Sequence, residues 1–333
     1  MLPASKSDFP KLLYLDQNKW IDLGRAHYQR DGGEEFKPAL QAVRDAIHAG
    51  NVVVPMSGVH VMETMAPKDE DRRRRLAEFM VDLSSNRSLV PHMSVRELEI
   101  LQAVVGKLGG TPATSVRTGI IHEGLSYALG AEPVISGVPA EAVTSLTQML
   151  RSPEVSVKLL VDAADDATRI RSRQDDEAAV LQLEEIRRRA ANDLTWEMKH
   201  RVELADLFTK GEPGAELRRI LVGLGIRPSA FFAQFGANNP EEYIAFFHSV
   251  PTVDVFVTLG LERDRDLNRP IHRNDAKDMA FLSIALPYAN FIVTEKFWGH
   301  VSNVSGLASR YATVVSTDAR DLPQLLSDHG CLP

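Results

Sequence analysis

Apolar residues form short blocks at the two ends of the chain and fall at helical spacing through its middle. Leu12, Leu13, Tyr14 and Leu15 make an unbroken apolar run, which predicts a short buried strand over 11–15. Trp20, Ile21, Leu23 and Ala26 then follow near helical spacing, and "DGGEE" at 31–35 reads as a loop. Leu40, Val43 and Ile47 form one stripe of a second helix, with Gly50 as its stop. "NVVVP" at 51–55 predicts a second β-branched strand, and Ser57 is a good N-cap for the helix "SGVHVMETM". Strand, helices, strand and helix in this order predict an α/β fold with a parallel sheet.

From about residue 70 to 262 the pattern is helical, with no strand expected. "DEDRRRRLAEFMVDL" and "SVRELEILQAVVGKLGG" read as amphipathic helices, and 175–208 reads as one long helix or two joined ones. "GGTPATS" at 109–115 and "SGVP" at 136–139 read as loops. The end of the chain returns to α/β: a helix over "NDAKDMAFLSIALPYA", strands over 290–294 and 311–317, and a closing helix in "DLPQLLSDHG". The chain therefore divides into 1–70 and 263–333, two halves of one sheet-bearing core, and 71–262, a mainly helical insertion.

Composition narrows this picture. The 333 residues are 44% hydrophobic and 25% charged, as in ordinary globular proteins. A net charge of −7 gives no global basic field, so nucleic-acid binding needs a local basic patch. The single cysteine, Cys331, cannot form an internal disulfide or a cysteine-based zinc site. No stretch approaches the roughly 18 apolar residues of a membrane span. The expectation is a cytoplasmic protein with no membrane partner.

The candidate chemistry is acidic. Asp16 ends the first strand, Glu63 lies on the helix after the second, Asp275 and Asp278 open the helix before "FIVT", and Glu295 follows that strand. Sites in open parallel sheets form outside the carboxyl ends of strands. Asp275 and Asp278, three apart, share a helix face. Converging carboxylates repel unless a divalent cation neutralises them, and Mg²⁺ takes oxygen ligands. Such ions support phosphodiester hydrolysis.

At four places the chain resembles the PIN-domain nucleases. "YLDQN" is similar to the opening strand with Asp-x-Asn, on Asp16 and Asn18; "VVVPMSGVHVMETM" resembles the second strand with Ser and a later Glu, on Ser57 and Glu63. "DMAFLSIALPYANFIVT" is similar to the Asp-initiated helix and its strand, on Asp278 and Thr294, and "YATVVST" with "DLPQLL" to the last strand and helix. The resemblance implies a three-layer α/β/α sandwich and a Mg²⁺- or Mn²⁺-dependent endoribonuclease that leaves a 5′-phosphate and a 3′-hydroxyl. Its metal ligands and catalytic groups would be Asp16, Glu63, Asp275, Asp278 and Glu295, supported by Asn18, Ser57 and Thr294. Two features depart from the family pattern. Lys296 stands where many members carry an Asp, with Glu295 one position earlier, and the helical insertion has no counterpart in the minimal fold.

Each residue also has a plainer reading. Asp16, Asp275 and Asp278 suit helix starts, Asn18 a turn that orients Asp16, and Ser57 an N-cap. Arg72 and Arg73 in "RRRR", and His272 and Arg273 beside the acids, are the candidate nucleic-acid contacts, against a default of solvated surface. The tryptophans read as packing residues. RNA is the expected substrate, with DNA equally open to the chemistry. The alternatives are a catalytically degenerate PIN-like scaffold that binds a partner, and a toxin-like nuclease held off by an inhibitory partner protein.

Overall fold

The computed structural model describes residues 10–65, 69–111, 119–130, 136–162, 166–191, 195–209, 215–235 and 239–333. Strand β1 (Lys11–Leu15) leads into α1 (Gln17–His27) and α2 (Lys37–His48), then β2 (Val52–Val53) and α3 (Gly58–Met65). The helical segment runs through α4 (Glu70–Leu83), β3 (Arg87–Leu89), α5 (His92–Lys107), β4 (Ile121–Glu123), α6 (Ala140–Leu150), α7 (Pro153–Asp162) and α8 (Asp166–Ala190). It continues through α9 (Trp196–Asp206), α10 (Ala215–Gly223), α11 (Pro228–Phe232), α12 (Pro240–His248) and α13 (Pro251–Asp264). The last part comprises α14 (Asp275–Tyr288), β5 (Phe291–Val293), α15 (Lys296–Val304), α16 (Leu307–Arg310), β6 (Val314–Ser316) and α17 (Leu322–Asp328).

The fold is α/β. Four parallel strands form one sheet in the order β2-β1-β5-β6. Tyr14 pairs with Ile292 and Leu15 with Val293, so β1 and β5 end level. The apolar runs of β1 and β5 are continuous because both faces of a central parallel strand are covered. Leu13 and Leu15 point into one apolar cluster with Trp20, Val43, Phe79 and Leu322. Leu12 and Tyr14 point into another on the opposite face, with Met279, Leu282 and Trp298.

The helical segment shares these cores. Phe79 and Met80 of α4 lie in the first, and Val255 and Leu259 of α13 in the second. A third cluster, built around Phe231, Phe247 and Leu204, belongs mostly to the segment itself. Buried polar groups fasten it: Arg96 on α5 donates to both Glu216 oxygens at 2.6 and 3.0 Å, and Glu99 accepts from Thr252 on α13 and from Tyr288 on α14.

Several expectations change. The middle contains strands after all: β3 and β4 pair antiparallel, and Leu89 N–H bonds the Met56 carbonyl at 2.7 Å. Three-residue strands carry too little alternation to show in sequence, and pairing with neighbours creates them. The helical pattern over 175–208 resolves into α8 and α9, with 192–194 outside the described residues. The strand expected over 311–317 starts only at Val314, because Ala312 takes φ +50° and the chain must turn there. Within "GGTPATS", 112–115 lie outside the described residues. Among the described residues no single helix is long and apolar enough to cross a membrane.

Candidate active site

β1 runs outward to β2 on one side, and β5 to β6 on the other. The direction of winding therefore reverses between β1 and β5, and a crevice opens at their carboxyl ends. Asp16 and Glu295 leave the sheet there, one residue beyond Leu15 and two beyond Val293. A cavity of about 710 Å³ fills this place and is lined by Asp16, Glu63, Asp275, Asp278 and Glu295, among others.

Asp16 combines its plain reading and its chemical one. One carboxylate oxygen accepts from the Gln17 N–H at 2.7 Å and caps α1, while the other accepts from the Thr294 hydroxyl at 3.4 Å. Burial raises its pKa, and the nearby Glu295 charge raises it further. Thr294 thus braces Asp16 across the strand register. Asn18 does not orient Asp16 as expected; it points across the crevice and donates to Glu295 at 2.8 Å.

Asp278 lies in the first turn of α14, where the Trp298 indole N–H donates to it at 2.8 Å. Trp298 is buried, yet its polar edge does a specific task that sequence reading assigned only to packing. Burial, and then the charge of Asp16, push the Asp278 pKa up to about 7. Glu63 has no hydrogen bond or ion pair among the described residues. Burial, reinforced by Asp16 and Asp278, pushes its pKa up to about 8. Shifts of this size mark carboxylates withdrawn from water without full compensation of their charge. Relief comes from α1, α14 and α15, whose positive N-terminal ends all lie at the cavity. At the start of α15, Gly299 allows close approach to the end of β6, since a Cβ there would overlap the Thr317 methyl.

Asp275 is engaged otherwise. Arg269 grips both of its oxygens at 2.7 and 2.9 Å, and the His272 N–H donates to it at 3.0 Å. It clamps the loop before α14 and has little capacity left for a ligand. Ser57 also lies beneath the site and does not line the cavity. Its hydroxyl is 3.2 Å from the Tyr14 hydroxyl, and its N–H donates to His60 Nδ1 at 3.0 Å. His60 Nε2 therefore carries the proton and donates to the Leu15 carbonyl at 2.9 Å. Burial holds the His60 pKa at about 4, so the ring is neutral and fixes the end of β1 just before Asp16.

The expected basic contacts divide. His272 and Arg273 are exposed and line the cavity. Arg72 is exposed but away from it, and Arg73 is only 8% exposed, which corrects its expected role in gripping nucleic acid. Sequence reading missed Arg173 on α8, Lys277, Met62 and Phe297, all of which line the cavity. Arg173 sits in the charged stretch "RIRSRQDDE", where nothing local distinguishes it from a solvated residue.

The donor type is that of a hard divalent cation: among the described residues, four oxygen-donor acids line one cavity, no ion pair neutralises them, and the buried Gln17 Oε1 lacks a partner. Among the described residues, however, no three His, Cys, Asp or Glu side chains are grouped closely enough to hold an ion as they stand. No family model matches this chain, and no significant match occurs among curated proteins or solved structures.

Proposed function

We propose that the protein is a metal-dependent nuclease of the PIN-like type, acting on RNA, and that the helices on both faces of its sheet make an α/β/α sandwich. The observation that carries this reading is the set of four uncompensated carboxylates, Asp16, Glu63, Asp278 and Glu295, around one cavity at the winding reversal of a parallel sheet. Asp16, Glu63 and Asp278 have raised pKa values in this cleft, a pattern characteristic of functional sites.

Asp16 and Asp278 would hold Mg²⁺ or Mn²⁺, with Glu63 and Glu295 completing the ring of oxygen donors. Mg²⁺ usually keeps several waters and takes only one or two carboxylates directly, so a wide spacing suits it. Once bound, the cation supplies charge neutralisation and polarises a phosphodiester. The protein's own groups set the geometry. Thr294 and the Gln17 N–H hold Asp16, Trp298 holds Asp278, and Asn18 holds Glu295. Glu63 keeps a proton on its carboxyl near neutral pH in the metal-free chain. Asp275 is left out of the ligand set because Arg269 occupies it.

The absence of three closely grouped ligands among the described residues favours a second reading, a PIN-like scaffold without catalysis. One experiment separates the two. Single-stranded RNA and DNA are incubated with Mg²⁺ or Mn²⁺ and the native chain, Asp16→Asn or Asp278→Asn. The nuclease reading expects metal-dependent cutting that both variants abolish. No cutting, with no heat of metal binding in calorimetry, leaves the scaffold.

A further inference from the structure

The cavity is lined by charges of both signs. The four acids line it, and so do Arg173 of α8 and Arg273 of the loop before α14. Both arginines are exposed, and neither has a hydrogen bond or ion pair among the described residues. The neighbouring cations are committed. Arg269 holds Asp275, and Lys277 holds Asp176 of α8 at 2.5 Å. Asp176 and Arg173 are three apart on α8 and share a face, so the Lys277 ion pair that docks α8 on α14 also turns Arg173 into the cavity. Two cations and four acids share this one cavity without pairing among the described residues, which suggests that both wait for the same ligand.

Its shape is constrained as well. Met62, 40% exposed and adjacent to Glu63, lines the cavity with the partly buried Phe297, whose ring is covered by the Arg269 guanidinium at 3.8 Å. A cavity of about 710 Å³ falls in the range that encloses a small ligand, roughly 300–1,000 Å³. A nucleotide unit enclosed by a cavity has to leave the base stack. With a net charge of −7, no general attraction brings a polyanion here, and local cations must do so.

We infer that α8 is a clamp for single-stranded nucleic acid: Arg173 and Arg273 pair with backbone phosphates on either side of the one presented to the acids, and Met62 and Phe297 contact an unstacked base. The inference rests on the nuclease reading for the role of the acids, but the grip of the arginines is measurable without any metal.

The test is fluorescence anisotropy of a short labelled single-stranded RNA in excess EDTA, run beside Mn²⁺ calorimetry. The expected result is that Arg173→Glu with Arg273→Glu weakens RNA binding about tenfold or more. The slope of log affinity against log salt should also become shallower by about 0.7 for each phosphate that is no longer neutralised. The paired lysine substitutions keep most of the affinity. Mn²⁺ binding is retained in the charge-reversed chain, since its acids are intact and the added carboxylates attract a cation. The clamp is overturned if the reversed chain binds RNA as the native one does, if the native chain does not bind it, or if a hairpin duplex binds as tightly as the single strand. Absence of Mn²⁺ binding in the native chain, with the arginine effect intact, would instead sink the metal reading and leave the clamp.

Discussion

Asp264 and Asp278 lie at the ends of helices that pack against each other, and their environments push them in opposite directions. Asp264 is deeply buried, which raises its pKa, but hydrogen bonds from His200 and Arg263 outweigh burial and hold it below the ordinary carboxylate range. Asp254, in the same helix, behaves alike through His248 and Arg310. Asp278 receives one neutral donor, Trp298, and faces Asp16, so burial wins and its pKa rises to about 7. The charges of Asp254 and Asp264 are thus compensated by facing cations, whereas the crevice leaves its charge unsettled. Burial alone does not set the direction of the shift; the donors and charges that face each carboxylate do.

Breaking a settled pair has the largest expected effect. Asp264→Ala strands the buried Arg263 guanidinium and His200, and denaturant unfolding should show a loss of about 3–5 kcal/mol, the usual range for halving a buried ion pair. The crevice should respond in the other sense. Saturating Mn²⁺, at about one hundred times its dissociation constant, should stabilise the native chain by about 2.7 kcal/mol in thermal melts, and Asp16→Asn should lose that gain.

The pH dependence of the metal-free chain sharpens the contrast further. Glu63 and Asp278 have pKa values of about 8 and 7 when folded, and ordinary carboxylate values near 4 when unfolded. Between these limits the folded state binds more protons than the unfolded one, so these two groups lower stability as pH rises from about 4 to about 8. Melts across that range should show the decline, and Asp278→Asn should flatten it and melt a few degrees above the native chain at the alkaline end. The smallest effect belongs to Asn18→Ala. Its bond to Glu295 is exposed, so stability should change by less than about 1 kcal/mol. Calorimetry should show Mn²⁺ affinity falling by about tenfold, as loss of a group that orients a ligand does.

The parallel sheet was legible because the runs at 12–15 and 291–293 are apolar without alternation, which only strands buried on both faces require. Asp16 and Glu295 were legible as acids placed where such strands end. The β3–β4 ribbon was not, since three residues carry no periodic signal and its pairing partners come from 32 to 36 positions away. Asp275 and Asp278 look equivalent in sequence, both in the first turn of one helix. Only the loop that folds Arg269 back onto Asp275 tells them apart.

The sequence by itself determined the elements of the sheet and the acids that leave its carboxyl ends, because burial on both faces and helix starts impose residue choices within a few positions. Tertiary structure alone decided which charges are paired. Lys277 reaches across 101 positions to Asp176, Asn18 across 277 to Glu295, and Arg173 reaches the cavity of the acids only because α8 docks on α14. A charge's partner lies within a few ångströms in space, and nothing in local propensity or spacing encodes a neighbour so distant along the chain.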